Sequence, residues 1–143
     1  MVRLVVLLLG ALALALVSSF HGVGRRVGNR AAILMSSPPG SAQYFQEVVG
    51  ANKVLLFMKG NKIFPQCGFS NTAVRILDAI GQPFETVNVL DDDRIRNGVK
   101  DFSSWPTIPQ LYVDGEFVGG TDVMIELYQN GELAEMIEVA TAS

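Results

Sequence analysis

The sequence predicts an α/β domain built on a mixed four-stranded sheet flanked by helices, and three observations predict it. Val54-Leu55-Leu56-Phe57-Met58 is a continuous apolar run, the mark of a strand buried on both faces. Behind it, apolar residues recur at helical spacing from Gly68 to Ile80, the best helix in the chain. Further on, Gln110-Leu111-Tyr112-Val113 and Glu116-Phe117-Val118 flank Asp114-Gly115, a two-residue turn that wants positive φ and so predicts a hairpin.

The elements follow in order. Phe45, Val48 and Val49 have helical spacing, which predicts a short first helix over 43–49 that ends near Gly50. The strand 54–58 comes next, then a long loop over 60–66. In the helix 68–80 the expected buried stripe is Phe69, Ala73, Val74, Ile76, Leu77 and Ile80, and Gly81 stops the pattern. Residues 84–89 form a second strand. Asp91-Asp92-Asp93 sit where acids complement a helix start, and Ile95, Val99 and Phe102 continue on one helical face. After the hairpin and Gly119-Gly120, a helix runs from 121 to 130. Gly131 ends it, and 132–139 form a last short helix. A βαβ unit followed by a hairpin and a closing helix makes a mixed sheet.

Of the 143 residues 49% are apolar and 17% charged, but the average pools two unlike segments. No Asp or Glu precedes Glu47, so residues 1–46 hold Arg3, Arg25, Arg26 and Arg30 against no acid, whereas the rest holds 7 Lys/Arg against 14 Asp/Glu. An acidic body argues against a nucleic-acid binder working through a basic face. The apolar run 4–17 is 14 residues long, short of the roughly 20 that span a bilayer, so no membrane span is expected in the mature protein. It reads as the core of a signal peptide over 1–19, followed by a transit-like stretch over 20–37 with three Arg and no acid. Ser37-Pro38-Pro39-Gly40-Ser41 reads as a linker by composition, so 1–40 is expected to be targeting leader and linker, and 41–143 one domain. A signal peptide followed by a transit segment resembles the presequences of algae whose plastids lie inside extra membranes. A mitochondrial presequence or a plain secretory signal is the alternative.

Cys67 is the only cysteine, which excludes an intrachain disulfide and a zinc site built from Cys pairs. It falls directly before the helix 68–80, where helix amides stabilise a thiolate, although a buried structural cysteine is the other reading. Cys67-Gly68-Phe69-Ser70 has the spacing of a C-x-x-C pair with serine in the second place, so a thiolate here must meet a second thiol from elsewhere. No G-x-G-x-x-G, Walker loop or Ser/His/Asp set competes, because the only histidine, His21, is in the leader. Asp91-Asp92-Asp93 lacks the Gly and the distal Glu of a calcium loop.

Four motifs in order carry a resemblance: Lys59-Gly60, Pro65-Gln66-Cys67-Gly68-Phe69-Ser70, Trp105-Pro106-Thr107-Ile108-Pro109-Gln110, and Gly119-Gly120-Thr121-Asp122. Over about 54–131 the chain resembles the monothiol glutaredoxins of the C-G-F-S type. The resemblance implies the thioredoxin fold, with Pro109 in the cis form facing Cys67. Without it, Pro109 would be a turn proline or the start of an edge strand. It further implies that Cys67 is the catalytic thiol and that glutathione binds across several positions. Lys59, Arg96 and Lys100 would take its glycine carboxylate, the Ile108 backbone would pair with it like an added strand, and Thr121 and Asp122 would hold the γ-glutamyl end. Phe69, Thr107, Pro109 and Gly120 complete the implied contact set. Other readings of the same residues are a solvated surface for the cations, with Lys100 paired to Asp92 or Asp93, and helix capping for Asp122. Many relatives carry a cysteine at the Thr121 position, so any redox role of that thiol is missing here.

The same resemblance implies a [2Fe–2S] cluster shared by two subunits. Such a cluster needs four ligands, and one chain offers one cysteine, so two Cys67 sulfurs and two glutathiones would make the set. A carrier of that kind receives clusters from a scaffold and passes them to recipient apoproteins, in a plastid or a mitochondrion. Trp105-Pro106 and the long loop before Cys67 mark this type. Two alternatives remain: a glutathione-dependent oxidoreductase that removes glutathione from protein mixed disulfides through Cys67, and a regulatory module paired with a BolA-like protein.

Overall fold

A computed structural model describes residues 37–143, so the expectations for 1–36 lie outside the described residues. The elements are α1 (Ala42–Gly50), β1 (Val54–Met58), α2 (Gly68–Ile80), β2 (Glu85–Asn88), α3 (Asp93–Ser103), β3 (Gln110–Val113), β4 (Glu116–Gly119), α4 (Thr121–Gln129) and α5 (Glu132–Ala142). They form the thioredoxin-like fold.

The strands lie in the order β2-β1-β3-β4. β1 is parallel to β2, with Leu56 opposite Thr86, and antiparallel to β3, with Leu56 opposite Leu111. As the inner strand, β1 is buried along its whole length, which is why its sequence runs apolar without alternation. Val54, Leu56 and Met58 point to one face, covered by Ala73, Val74, Ile76 and Leu77 of α2, Met124 of α4, and Leu133, Ile137 and Ala140 of α5. Leu55 and Phe57 point to the other, where Phe45, Val48 and Val49 of α1 and Val99 of α3 close the second core. Phe45 is fully buried, with Phe57 edge-on at 5.8 Å and Phe102 at 5.4 Å between ring centroids. The hairpin turns at Asp114 (φ 48°) and Gly115 (φ 88°), as the Asp-Gly pair predicts.

Three details differ from the sequence reading. β2 is shorter than 84–89, spanning 85–88. The Phe84 carbonyl accepts from the Lys62 amine, which also lies 4.1 Å over the Phe84 ring, while past the strand's end Val89 N–H still donates to the Met58 carbonyl at 2.9 Å. α5 runs three residues past 139, since Ile137 and Ala140 continue its buried face. Phe69, expected on the buried stripe of α2, is 63% exposed. It lies in the first turn, beside the groove described below, and Ser70 takes the buried place instead.

Candidate functional site

Five backbone segments converge on one groove of about 440 Å³. It is lined by Lys59 just past the C-terminal end of β1, Cys67 and Phe69 at the start of α2, Arg96 and Lys100 on α3, residues 105–109 ahead of β3, and Gly120, Thr121 and Asp122 at the start of α4. Every residue named from the sequence as a contact is therefore in one place, joined by Trp105 and Pro106, which were read only as marks of type.

Each segment is there for a local reason. Cys67 is the N-cap of α2 with extended backbone (φ −154°, ψ 140°), and its side chain makes no capping bond. Its thiol is half-buried, below its ordinary pKa. The backbone N–H of Ser70 is the largest cause, followed among the stabilising causes by that of Phe69 and the charge of Lys59, with desolvation opposing them. The loop over 60–66 is closed on itself. Gly60 N–H donates to Asn88 Oδ1 at 2.8 Å, Gln66 N–H to the Lys59 carbonyl at 2.9 Å, and Asn61 Oδ1 accepts from the N–H groups of Ile63 and Phe64. Ile63 and Phe64 are left exposed on this loop.

The Ile108–Pro109 peptide bond is cis. The stretch before it is braced from β3 by Gln110, a buried side chain whose amide donates to the Trp105 carbonyl at 3.0 Å and the Thr107 carbonyl at 3.2 Å. Sequence reasoning quoted Gln110 in a motif and at the start of a strand but gave it no role, though a glutamine opening an otherwise apolar strand was the available signal. At α4 the N-cap is Gly120, with no side-chain cap, so the first amides of that helix stay available to an anion. Gly119 adopts φ 151°, and a Cβ there would lie 2.7 Å from Val123 Cβ, which reserves the position for glycine. Thr121 is buried, and its hydroxyl donates to the Phe69 carbonyl at 3.2 Å, tying the first turns of α2 and α4 together.

Among the described residues the ion pairs are Lys53–Asp114 and Arg94–Asp92. The pairing of Lys100 with Asp92 considered from sequence is not made. Asp92 instead caps α3 through the Arg94 N–H at 2.8 Å and pairs with the Arg94 guanidinium, which holds its carboxyl below the usual range. Lys59, Arg96 and Lys100 thus line the groove outside any ion pair among the described residues. No group of three or more His, Cys, Asp and Glu able to hold a metal occurs among the described residues.

The fold is thioredoxin-like, and it sets the single cysteine of the sequence at a helix N-cap on the rim of one groove. The glutaredoxin family profile matches residues 54–118. A ycf64-like monothiol glutaredoxin of Synechocystis sp. is 63% identical over 105 residues, which is 73% of this chain and 98% of that protein. The chloroplastic monothiol glutaredoxin-S7 of Oryza sativa is 57% identical over 97 residues, covering 68% of this chain and 58% of its own length. The solution structure of reduced poplar apo GrxS14 superposes with a TM-score of 0.61 at 57% identity, covering 68% of this chain and 89% of that one. The chain belongs to the monothiol glutaredoxin family.

Proposed function

We propose that the protein binds glutathione in this groove and, as a dimer, carries a [2Fe–2S] cluster as cargo for delivery to apoproteins in an organelle. The observation that carries the reading is the combination of one half-buried N-capping thiol with cations outside any described ion pair and an uncapped helix N-terminus on the same groove. Glutathione has two carboxylates, an ammonium and a thiol. Lys59, Arg96 and Lys100 suit its glycine carboxylate, the α4 amides its γ-glutamyl carboxylate, and Asp122 its ammonium. Bound this way, glutathione supplies a second thiolate beside Cys67. Two such chains then hold the four thiolates that a two-iron cluster needs. Half of those ligands are held non-covalently, which suits release to a recipient.

The test is anaerobic reconstitution of the full chain with iron, sulfide and glutathione, recording visible absorbance across a sizing column. The expected result is absorbance that co-elutes with a dimer and disappears without glutathione or in Cys67→Ser. A colourless monomer overturns the reading. Residues 1–46 fused to a fluorescent protein should direct it to a plastid; mitochondrial or secreted fluorescence replaces that destination.

The accessible, acidified thiol favours one second reading, glutathione-dependent removal of glutathione from proteins. The Cys67 thiolate attacks the glutathione sulfur of a mixed disulfide and releases the protein thiol. A free glutathione thiolate then attacks the Cys67–glutathione disulfide, regenerating Cys67 and leaving glutathione disulfide. Turnover of a glutathionylated substrate by the colourless form measures it.

A further inference from the structure

The helix α3 stands between the groove and the N-terminal end of the described chain. Arg96 and Lys100 line the groove, and Gly98, midway between them, lies about 160° round the helix from each. On that far side the backbone of Gly40 approaches so closely that a Cβ on Gly98 would lie 2.6 Å from the Gly40 carbonyl oxygen and 2.8 Å from the Phe45 ring. The approach is reciprocal. Gly40 has φ +84°, and a Cβ there would lie 2.6 Å from the Arg94 carbonyl oxygen.

The segment making this contact, 37–41, reads as a linker by composition but is fastened at both ends. Ser37 is buried and its hydroxyl donates to Glu47 of α1 at 2.8 Å. Ser41 N–H donates to the Pro38 carbonyl at 3.1 Å, and the Ser41 hydroxyl caps α1 by accepting from Tyr44 N–H at 3.1 Å. Pro38 and Pro39 have fixed φ, which stiffens the stretch between. It also lies outside the span matched by the family, 54–118.

We infer that residues 37–41 form a brace that sets where α3 stands over the groove, making Gly98 and Gly40 positioning residues for Arg96 and Lys100. The inference rests on the glutathione reading above, because it makes recognition of the glycine carboxylate depend on a contact on the opposite side of the helix. Packed helices move as units rather than bending locally, so a few tenths of an ångström at Gly98 reach both cations. Charge-assisted hydrogen bonds are sensitive to such shifts, and a misplacement of about 1 Å can cost about a hundredfold.

Calorimetric titration of the full chain with glutathione and with its glycine monoethyl ester tests this, comparing the parent with Gly98→Ala and with the milder Ser37→Ala. The parent is expected to bind glutathione more tightly than the ester. Gly98→Ala should weaken glutathione about tenfold and Ser37→Ala about threefold, while ester binding changes by less than about twofold. Variants that keep the parent's discrimination, or that lose both ligands equally, overturn the brace and leave the glutathione reading standing. A parent that binds both ligands equally overturns that reading and the brace with it. If Gly98→Ala does not fold, Ser37→Ala decides alone.

Discussion

The amide of Lys59 donates to the hydroxyl of Ser70 at 3.1 Å, joining the end of β1 to the first turn of α2. The serine that stands where a second cysteine would complete C-x-x-C is therefore a structural tie, fully buried, between a candidate carboxylate-binding lysine and the thiol's helix. Ser70→Ala leaves that amide without its partner and should cost about 1–2 kcal/mol. Denaturant unfolding checks it, and an unchanged midpoint would show that the tie is dispensable.

The acidified thiol makes a prediction about pH. A thiol whose pKa is lower folded than unfolded contributes stability above the unfolded value, and loses it as pH falls through the folded one. The stability difference between the parent and Cys67→Ser should therefore shift in the parent's favour on going from pH 6 to pH 10. In the folded protein, alkylation of Cys67 at neutral pH should outpace that of the same thiol in denaturant. Lys59→Gln should slow the folded reaction near neutrality and leave it unchanged at pH 10.5, where the thiol is ionised regardless. Equal rates for folded and unfolded chains would remove the electrostatic account of the site.

Much of this was legible from local pattern, and the failures are non-local. β1 and α2 fall where an unbroken apolar run and a helical stripe put them, because burial on both faces and on one face leaves those periods in the sequence. The groove was legible largely at the level of motifs, since four of its five segments are short local patterns, and only Arg96 and Lys100 of α3 lie outside them. The packing of Gly40 on Gly98 leaves no local mark. Prolines, glycine and serines look the same whether a segment swings free or lies against a helix more than fifty residues away. Phe69 carries the right period for the core and sits one turn too early to reach it.

Gly98→Ala distinguishes contact from propensity. In an exposed helix interior the change would stabilise by about 1 kcal/mol. Against the Gly40 carbonyl and the Phe45 ring it should instead destabilise by about 1–3 kcal/mol. Gly50, in the last turn of α1, is the control, because a Cβ there meets nothing within 4 Å and alanine should be neutral or mildly stabilising. Thermal or denaturant midpoints of the two variants should move in opposite directions, or at least only that of Gly98→Ala should fall.

Trp105 is the only tryptophan, and its indole N–H is buried without a hydrogen-bond partner among the described residues. It lies against Gly120, whose Cβ would come within 3.2 Å of the indole nitrogen, and the ring packs on Phe117 at 5.6 Å. Trp105→Phe discards an unsatisfied donor as well as apolar contact, so the two effects oppose each other. The net loss should be about 1 kcal/mol, below the 3–5 kcal/mol of a large aromatic truncated to alanine. In the parent, ligand in the groove should alter the intrinsic fluorescence, and a flat titration with glutathione would place binding elsewhere.

Lys59 and Asp122 stand on different segments of the groove, and their substitutions separate the two ends of the proposed ligand. Lys59→Gln removes a cation facing the glycine carboxylate, and Asp122→Ala an anion facing the ammonium. Neither side chain is in an ion pair among the described residues, so the fold should be kept, with unfolding midpoints within about 0.5 kcal/mol of the parent. Each should weaken glutathione by about tenfold, the worth of one charge-assisted contact. The ester-blocked ligand should be insensitive to Lys59→Gln and remain sensitive to Asp122→Ala. Titrations of the two variants with the two ligands measure this directly. The opposite pattern would mean that glutathione lies reversed in the groove, and no effect from either substitution would mean that it does not lie there.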